Sequence, residues 1–276
     1  MDKAILATRA QQFEALHHDT TFLLPNAWDP MSARILEAEG FPAIATTSGG
    51  LSWALGWPDG ERAPWSEVVA ATRRIATTLH TPLSADIETG YAATAAEVRS
   101  NVVEIIEAGA VGVNIEDQQG GKLRGIEDAC ARIRAAREAG EEARIPLLIN
   151  ARTDVFHLGP VSEAAVEEAL RRAEAYLKAG ASCIFLFGLS DLATLSRLTK
   201  EIGAPVNVVG RPGGPPLEAL AEAGVKRVSI AAGLALLAYG AASEAAARLR
   251  ATGEFESLRT RFTRAEAQKL ASVGQT

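Results

Sequence analysis

Short apolar runs alternate with longer helical patterns along most of this chain. The short runs are almost entirely apolar, as expected of strands that are covered on both faces of a parallel sheet. Eight such runs predict β-strands at Phe22–Ala27, Ala43–Thr47, Pro82–Ile87, Gly112–Ile115, Pro146–Ala151, Cys183–Phe187, Val206–Val209 and Arg227–Ile230.

The segments between these runs are rich in Ala, Leu, Glu and Arg, which favour helices. They predict helices at Ser32–Glu39, Ser66–Leu79, Ala95–Ala108, Ile126–Ala139, Ala164–Ala179, Asp191–Glu201 and Leu217–Ala223. Most of them are followed by a glycine, a residue that commonly takes the left-handed conformation just past a helix. The expected stops are Gly40, Gly109, Gly140, Gly180 and Gly224.

Eight strand-helix units predict a closed (β/α)8 TIM barrel, because an open doubly wound sheet more often stops at about five or six strands. The length of 276 residues suits one barrel domain spanning residues 1–276. A helical extension over about residues 234–276 follows the last strand, with helices expected at Leu234–Leu249 and Phe255–Leu270. This is more than one closing helix requires, so we expect the surplus to pack on a neighbouring subunit.

Composition and charge narrow the class of protein. No apolar run reaches the roughly 20 residues that cross a bilayer, and the first residues lack a basic segment followed by an apolar one, so we expect a cytoplasmic protein without a signal peptide. A formal charge of -6 argues against nucleic acid or anionic membrane as the main partner. Cys130 and Cys183 are too few for a disulfide framework and are predicted to be buried thiols.

Acidic side chains collect where the predicted strands end. Asp86 lies at the end of the third predicted strand and Glu88 just after it, Glu116 follows the fourth, and Asp59 lies in the loop after the second. Strand alternation predicts that Asp86 and Glu88 point the same way, into the barrel mouth where active sites of this fold form. Such oxygen ligands suit Mg²⁺ or Mn²⁺ rather than zinc. The alternative is that each carboxylate caps the following helix.

A glycine-rich loop at residues 118–125 carries the cations Lys122 and Arg124. We predict a mobile lid that brings one of them to an anionic substrate or a developing enolate. The alternative is a solvated surface loop. It is not a phosphate-binding P-loop, because Leu123 stands where that motif requires Ser or Thr.

Arg152, at the end of the fifth strand, is the second candidate for substrate binding. Its guanidinium could hold a substrate carboxylate through two parallel hydrogen bonds. An internal ion pair with Glu116 or Glu88 is the alternative.

Five ordered motifs resemble the isocitrate lyase and phosphoenolpyruvate mutase superfamily over most of the chain. They are Pro25-Asn26-Ala27-Trp28-Asp29, Thr47-Ser48-Gly49-Gly50 with Leu55-Gly56-Trp57-Pro58-Asp59, Asp86-Ile87-Glu88-Thr89-Gly90-Tyr91, Asn114-Ile115-Glu116-Asp117 and Asn150-Ala151-Arg152-Thr153-Asp154. The resemblance implies a homotetrameric barrel whose eighth helix is exchanged between subunits. It also implies Mg²⁺ held largely through water by Asp59, Asp86, Glu88 and Glu116.

The same resemblance implies roles for further residues. Ser48, Gly49 and Gly50 would hold the carboxylate and 2-oxo group of a small 2-oxo acid, together with Arg152. Lys122 would lie on a gating loop. On this reading the catalytic residues are Arg152, Lys122 and Asp59, and the reaction makes or breaks a bond next to a pyruvate enolate.

Two departures from the family narrow the expected chemistry. Isocitrate and methylisocitrate lyases carry a Lys-Lys-Cys-Gly-His loop, whereas residues 120–124 here contain no cysteine. The phosphoenolpyruvate mutase and phosphonopyruvate hydrolase branch has asparagine where this chain has Arg124. What remains is similar to the oxaloacetate decarboxylase branch, so a Mg²⁺-dependent decarboxylase is the first prediction. A carbon-carbon lyase for a substituted malate or a (methyl)isocitrate-like substrate, and phosphonopyruvate or phosphoenolpyruvate chemistry, are the alternatives.

Two other classes of protein remain open. A Schiff-base aldolase needs a desolvated lysine, but the lysine nearest a strand end, Lys122, lies in the glycine-rich loop. A non-catalytic member that binds a carboxylate ligand predicts that Asp86 and Glu88 can be changed without loss of any metal-dependent activity.

Overall fold

The computed structural model describes residues 1–272, in which parallel strands close into a ring. The first strand is interrupted at Pro25, which has no N–H to donate to a neighbour. Its first half pairs with the last strand and its second half pairs with the second strand, which closes the barrel. The strands are β1 (Phe22–Leu24 and Asn26–Ala27), β2 (Ile44–Thr46), β3 (Leu83–Asp86), β4 (Gly112–Glu116), β5 (Leu148–Thr153), β6 (Cys183–Leu186), β7 (Val206–Val209) and β8 (Arg227–Ser229). The predicted TIM barrel is confirmed.

Helices surround this ring. They are α1 (Lys3–Leu16), α2 (Pro30–Ala38), α3 (Ser48–Ala54), α4 (Trp65–Thr78), α5 (Ala95–Ala108), α6 (Ile126–Ala143), α7 (Val155–Leu158), α8 (Glu163–Lys178), α9 (Leu192–Ile202), α10 (Leu217–Glu222), α11 (Gly233–Thr252) and α12 (Arg264–Ser272). Two of them begin with reciprocal capping hydrogen bonds, at Asp29 for α2 and at Thr94 for α5. The sequence thus marks helix starts as well as stops.

The predicted glycine stops are correct except at one helix. Gly109 and Gly180 take positive φ angles of 115° and 106° just past α5 and α8. Gly140 instead lies inside α6, which continues to Ala143 and ends at a left-handed Arg144. A Cβ atom at Gly140 would lie 2.9 Å from the Cβ of Leu147. Glycine is needed there for close packing rather than for a turn.

Helix α1 was not expected from the mixed polar start of the chain. Its Phe13 is fully buried against the amino end of β4, where a Cβ on Gly112 would lie 2.7 Å from the phenyl ring. The guanidinium of Arg227, the first residue of β8, lies 5.8 Å from the same ring. Helix α1 therefore packs on the amino end of the barrel, opposite the predicted site.

The C-terminal extension differs from its prediction in detail. The second helix begins at Arg264 rather than Phe255, after a 3₁₀ turn at Glu256–Leu258, and α12 contacts α2 of the same chain. Helix α11 buries only Ala235 and exposes 57% of Leu236 and 68% of Leu237. This apolar face suits the expected assembly, and the exchange of a helix between subunits stays a prediction.

None of the helices within residues 1–272 combines the length and the apolar character needed to span a lipid bilayer.

Candidate active site

The four acids named from the sequence lie at the carboxyl end of the barrel. Asp86 and Glu116 are the last residues of β3 and β4, Glu88 lies two residues past β3, and Asp59 lies between α3 and α4. Their charges interact, since Asp86 and Asp59 both raise the pKa of Glu88, and Asp86 and Glu88 raise that of Glu116. The fold therefore brings together side chains that are up to 57 positions apart, counted from Asp59 to Glu116.

Asp86 is held between two elements by neutral donors. Its Oδ2 accepts a hydrogen bond from the backbone N–H of Ser48 at 3.1 Å, and its Oδ1 accepts one from Nδ2 of Asn114 at 3.1 Å. Asn114 is oriented in turn by Nδ2 of Asn150, which donates to its Oδ1 at 2.9 Å. The carboxylate is fixed in direction, and neither of these donors carries a positive charge.

Glu88 reaches the site in a way that strand alternation does not describe. Strand β3 ends at Asp86, and Glu88 takes a left-handed φ of 51°. Its Oε1 accepts from the hydroxyl of Tyr91 at 2.7 Å and its Oε2 from the N–H of Glu61 at 2.8 Å. Burial raises the pKa of Glu88 to about 7, opposed by these hydrogen bonds and reinforced by Asp86 and Asp59.

Glu116 and Arg152 face each other across β4 and β5 and form an ion pair of 2.8 Å. Burial raises the pKa of Glu116 to about 8, with Arg152 opposing the rise and Asp86 adding to it. Arg152 also binds both oxygens of Asp154, at 2.9 and 2.6 Å, and its guanidinium lies 3.6 Å from the ring centre of Phe187. The internal pair with Glu116 is thus present, and a direct role of Arg152 in substrate binding stays a prediction.

The turn that starts α3 approaches Asp59 closely. A Cβ atom on Gly49 would lie 3.2 Å from Oδ2 of Asp59, and the side chain of Ser48 hydrogen-bonds the same carboxylate. A Cβ on Gly50 would lie 2.9 Å from the Cβ of Trp28. Contact therefore requires glycine at position 50, while a side chain at position 49 would press on Asp59 and Trp53. The structure places this predicted substrate-binding turn beside the acids.

Lys122 lies in a different setting from the acids. Residues 118–123 form a two-stranded hairpin with Gly120 and Gly121 at its turn, both at positive φ. Lys122 is exposed, and no hydrogen bond or ion pair joins it to the four acids. Movement of this hairpin as a lid stays a prediction.

A saturated polar cluster fixes the base of that hairpin. The Oδ2 of Asp117 accepts from Nη1 of Arg172 at 3.1 Å and from the hydroxyl of Tyr176 at 2.7 Å, and its Oδ1 accepts from the N–H of Asp154 at 2.9 Å. Nη2 of Arg172 donates to the carbonyl of Arg124 at 3.0 Å. The backbone of Arg124 is thus tied to α8, and its guanidinium pairs with Asp128 at 2.7 Å, so that its role in substrate binding stays a prediction.

A narrow cavity of about 30 Å³ continues from the mouth into the barrel. It is lined by polar and aromatic side chains that include Asp86, Asn114, Arg152, Phe185 and Phe187. Wider recesses of about 800 and 880 Å³ lie between α5 and α6 and beside residues 211–216, and neither contains a strand-end carboxylate. Of the candidate site residues, Asp86 and Arg152 therefore face the small cavity.

The four acids fit a hydrated divalent cation. Three of them have raised pKa values to which a neighbouring carboxylate contributes, and a divalent cation would relieve that repulsion. Within residues 1–272, no three acidic, histidine or cysteine side chains are arranged to ligate one metal ion directly. Mg²⁺ usually retains several of its waters, so the donor set suits binding through water.

Several residues that shape the site were not singled out from the sequence. Tyr91 and Asn114 stand inside the quoted motifs, and their hydrogen-bonding side chains next to acids are a usable signal. Glu61 follows Asp59 by two residues in an irregular loop, where neither helical nor strand periodicity points to a role.

The chain is similar to a known family and to proteins that have been named. The family model described as phosphoenolpyruvate phosphomutase matches residues 13–250. An uncharacterized protein of Mycobacterium tuberculosis is 37% identical over 93% of this chain and 94% of its own length. An oxaloacetate decarboxylase of Pseudomonas putida is 32% identical over 78% of this chain and 75% of its own length.

A solved structure from Burkholderia cenocepacia, provisionally described as a lyase or mutase, is 32% identical and superposes with a TM-score of 0.90 over 98% of both chains. The family match, these relatives and the shared barrel all point the same way. The chain belongs to the superfamily of phosphoenolpyruvate mutase and isocitrate lyase, whose named relatives are lyases and mutases.

Proposed function

We propose that the protein is a Mg²⁺-dependent lyase that cleaves a carbon-carbon bond of a small 2-oxo acid by way of a pyruvate enolate, with oxaloacetate decarboxylation as the first candidate. One observation carries the proposal. Four carboxylates that interact with one another lie at the mouth of the barrel beside a guanidinium that is already paired, and Asp86 and Arg152 line the narrow cavity there. Such an excess of negative charge favours a metal ion as the missing partner.

When bound, Mg²⁺ supplies a Lewis acid that accepts electron density as the carbon-carbon bond breaks. Asp59, Asp86, Glu88 and Glu116 are the residues that would hold it. The chain's own contribution is orientation, because Ser48 and Asn114 fix Asp86 in direction. The turn from Ser48 to Gly50 would position the substrate carboxylate, with Arg152 close by.

Decarboxylation fits the acid-base groups that the chain provides. Loss of CO2 leaves the electron pair on the enolate, so that bond cleavage needs no general base, and solvent can supply the later proton. The hairpin at residues 118–123 contains no cysteine that could serve as an acid or base. The relative named oxaloacetate decarboxylase supports the same choice of substrate.

A substrate screen tests the proposal. Oxaloacetate, phosphonopyruvate, methylisocitrate and alkylmalates would be assayed for release of pyruvate, glyoxylate or succinate, with Mg²⁺ and with EDTA. We expect EDTA-sensitive pyruvate release from oxaloacetate, above the metal-catalysed rate without protein. Turnover that persists in EDTA, or trapping of pyruvate on Lys122 by borohydride, would contradict the proposal.

We further propose that the active form is a homotetramer in which the C-terminal helices lie between subunits. The exposed apolar face of α11 supports this assembly, because large exposed apolar patches commonly mark interfaces. Sedimentation equilibrium is expected to give four times the chain mass of 29.0 kDa. A monomer at micromolar concentration would contradict it.

A further inference from the structure

Glu61 joins the two loops that carry Asp59 and Glu88. One oxygen of its side chain, Oε1, accepts three hydrogen bonds, from the N–H of Thr89 at 3.0 Å, the hydroxyl of Thr89 at 2.7 Å and the N–H of Tyr91 at 2.8 Å. Its own N–H donates to Oε2 of Glu88 at 2.8 Å. Four hydrogen bonds thus tie the loop after α3 to the loop after β3.

The backbone is strained at three of these four residues. Glu61, Glu88 and Tyr91 have φ angles of 56°, 51° and 52°, in the left-handed region that residues with a Cβ atom seldom occupy. Within residues 1–272 only two other non-glycine residues, Arg144 and Ala231, have positive φ. Strain of this kind persists where surrounding contacts enforce it, and it clusters at functional sites.

These contacts orient the Glu88 carboxylate from both sides. Its Oε2 accepts from the N–H of Glu61, and its Oε1 accepts from the hydroxyl of Tyr91 at 2.7 Å. Tyr91 is itself held through its N–H by the side chain of Glu61. Removing the Glu61 side chain therefore releases the backbone of Thr89 and Tyr91, and with Tyr91 the hydroxyl that binds Oε1 of Glu88. The N–H of Glu61 then remains as the second donor to Glu88, without the side chain that ties its loop to Thr89.

Helix α6 holds the same loop from the opposite side. Nη1 of buried Arg132 donates to the carbonyls of Thr89 and Ala92, each at 3.0 Å. Because these bonds do not involve Glu61, the loop remains attached to the barrel when Glu61 is replaced. Replacing Glu61 should change the orientation of the Glu88 carboxylate without unfolding the protein.

We propose that Glu61 is a positioning residue that assembles the Asp59 loop and the Glu88 loop into one site and thereby sets the affinity for the divalent cation. This inference rests on the proposed function. Glu61 acts through Glu88 and Tyr91 and does not itself touch the substrate. Without the hydrogen bonds of the Glu61 side chain, Asp59 and Glu88 would move independently of each other.

Titration of the full-length, metal-free protein with MgCl2 tests the proposal. The variants are Glu61→Ala, Glu61→Gln, which keeps an acceptor oxygen, and the control Glu37→Ala, whose Oε1 likewise accepts three hydrogen bonds but from His80 and Thr81, just before β3. Glu61→Ala is expected to raise the Kd for Mg²⁺ at least tenfold and to speed hydrogen exchange at the Thr89 and Tyr91 amides. Glu61→Gln should restore most of both properties, and Glu37→Ala should match the wild type in both.

Two results would overturn the inference. One is an unchanged Kd and unchanged amide exchange in Glu61→Ala. The other is faster exchange throughout the barrel with a large fall in Tm, which would identify a structural role only. A wild-type protein that binds no divalent cation would instead refute the proposed function, and the claim about affinity with it. Selective exchange at Thr89 and Tyr91 would then still identify the contact between the loops.

Discussion

Asp86 ends β3 and Asp117 directly follows the neighbouring β4, yet the surroundings of the two carboxylates differ. Asp117 is 1% exposed and receives hydrogen bonds from the guanidinium of Arg172, the hydroxyl of Tyr176 and a backbone N–H. Asp86 receives hydrogen bonds from neutral donors and raises the pKa of Glu88 and Glu116, and it forms no ion pair with the nearby Arg152 or Arg227. A buried charge whose partners are complete stabilises the fold, whereas uncompensated charges at a barrel mouth indicate a site for a ligand.

The largest effect is expected from Asp86→Ala. Turnover should fall at least about a thousandfold, equivalent to roughly 4 kcal/mol, because a carboxylate that serves the metal is lost. The free energy of unfolding should change by less than about 1 kcal/mol, since the removed charge is repelled by its neighbours. Steady-state rates and urea denaturation check both parts, and a large loss of stability would make Asp86 resemble Asp117.

Asp117→Ala should show the reverse pattern. Arg172 would be left as a buried cation with one partner fewer, so we expect a loss of about 3 kcal/mol in the free energy of unfolding. Glu201→Ala is the control, because that exposed carboxylate also pairs with an arginine, the exposed Arg197, but should contribute little to stability. Equal urea midpoints for the two variants would remove the distinction between the sites.

Arg152 lies between the two kinds of surroundings, since its partners are Glu116 and Asp154. If its guanidinium also binds the substrate carboxylate through two hydrogen bonds, Arg152→Lys should lower kcat/KM about tenfold, equivalent to roughly 1.4 kcal/mol. The free energy of unfolding should change little. The kinetics and the urea midpoint would be measured on the same preparation. Normal kinetics with a much lower midpoint would assign Arg152 to the fold alone.

The smallest expected effect concerns His17, at the end of the barrel away from the acids. Burial, with Arg227 adding to it, lowers the pKa of His17 from 6.5 to about 3. The folded state therefore keeps this group neutral while the unfolded chain binds a proton, so its contribution to stability is complete above pH 6.5 and lost as pH falls toward 3. Between pH 6.5 and 5.5, the wild type should lose about 1 kcal/mol relative to His17→Gln. Parallel pH profiles would contradict this.

Much of the fold and part of the site could be predicted without coordinates. Apolar strand runs and glycine stops identified the barrel, and the position of Asp86 and Glu116 at strand ends placed them at its mouth. Glu88 was correctly predicted to lie near Asp86. The predicted reason, side-chain alternation along one strand, was wrong, because the strand ends at Asp86. The prediction that Gly140 ends a helix was wrong, because α6 continues past it. Glycine at this position instead allows close packing against Leu147, just before β5.

The sequence by itself determined the elements and the chemical types at their ends, because burial on two faces, helix capping and glycine conformation depend on near neighbours in the chain. Only the tertiary structure decided which charges are neutralised. The partners of Asp117 and Asp86 include residues 55 and 38 positions away, at Arg172 and Ser48, and Glu61 reaches Thr89 from 28 positions away. Such contacts depend on how helices, strands and loops that are distant in the chain pack against one another, and local sequence patterns do not determine that packing.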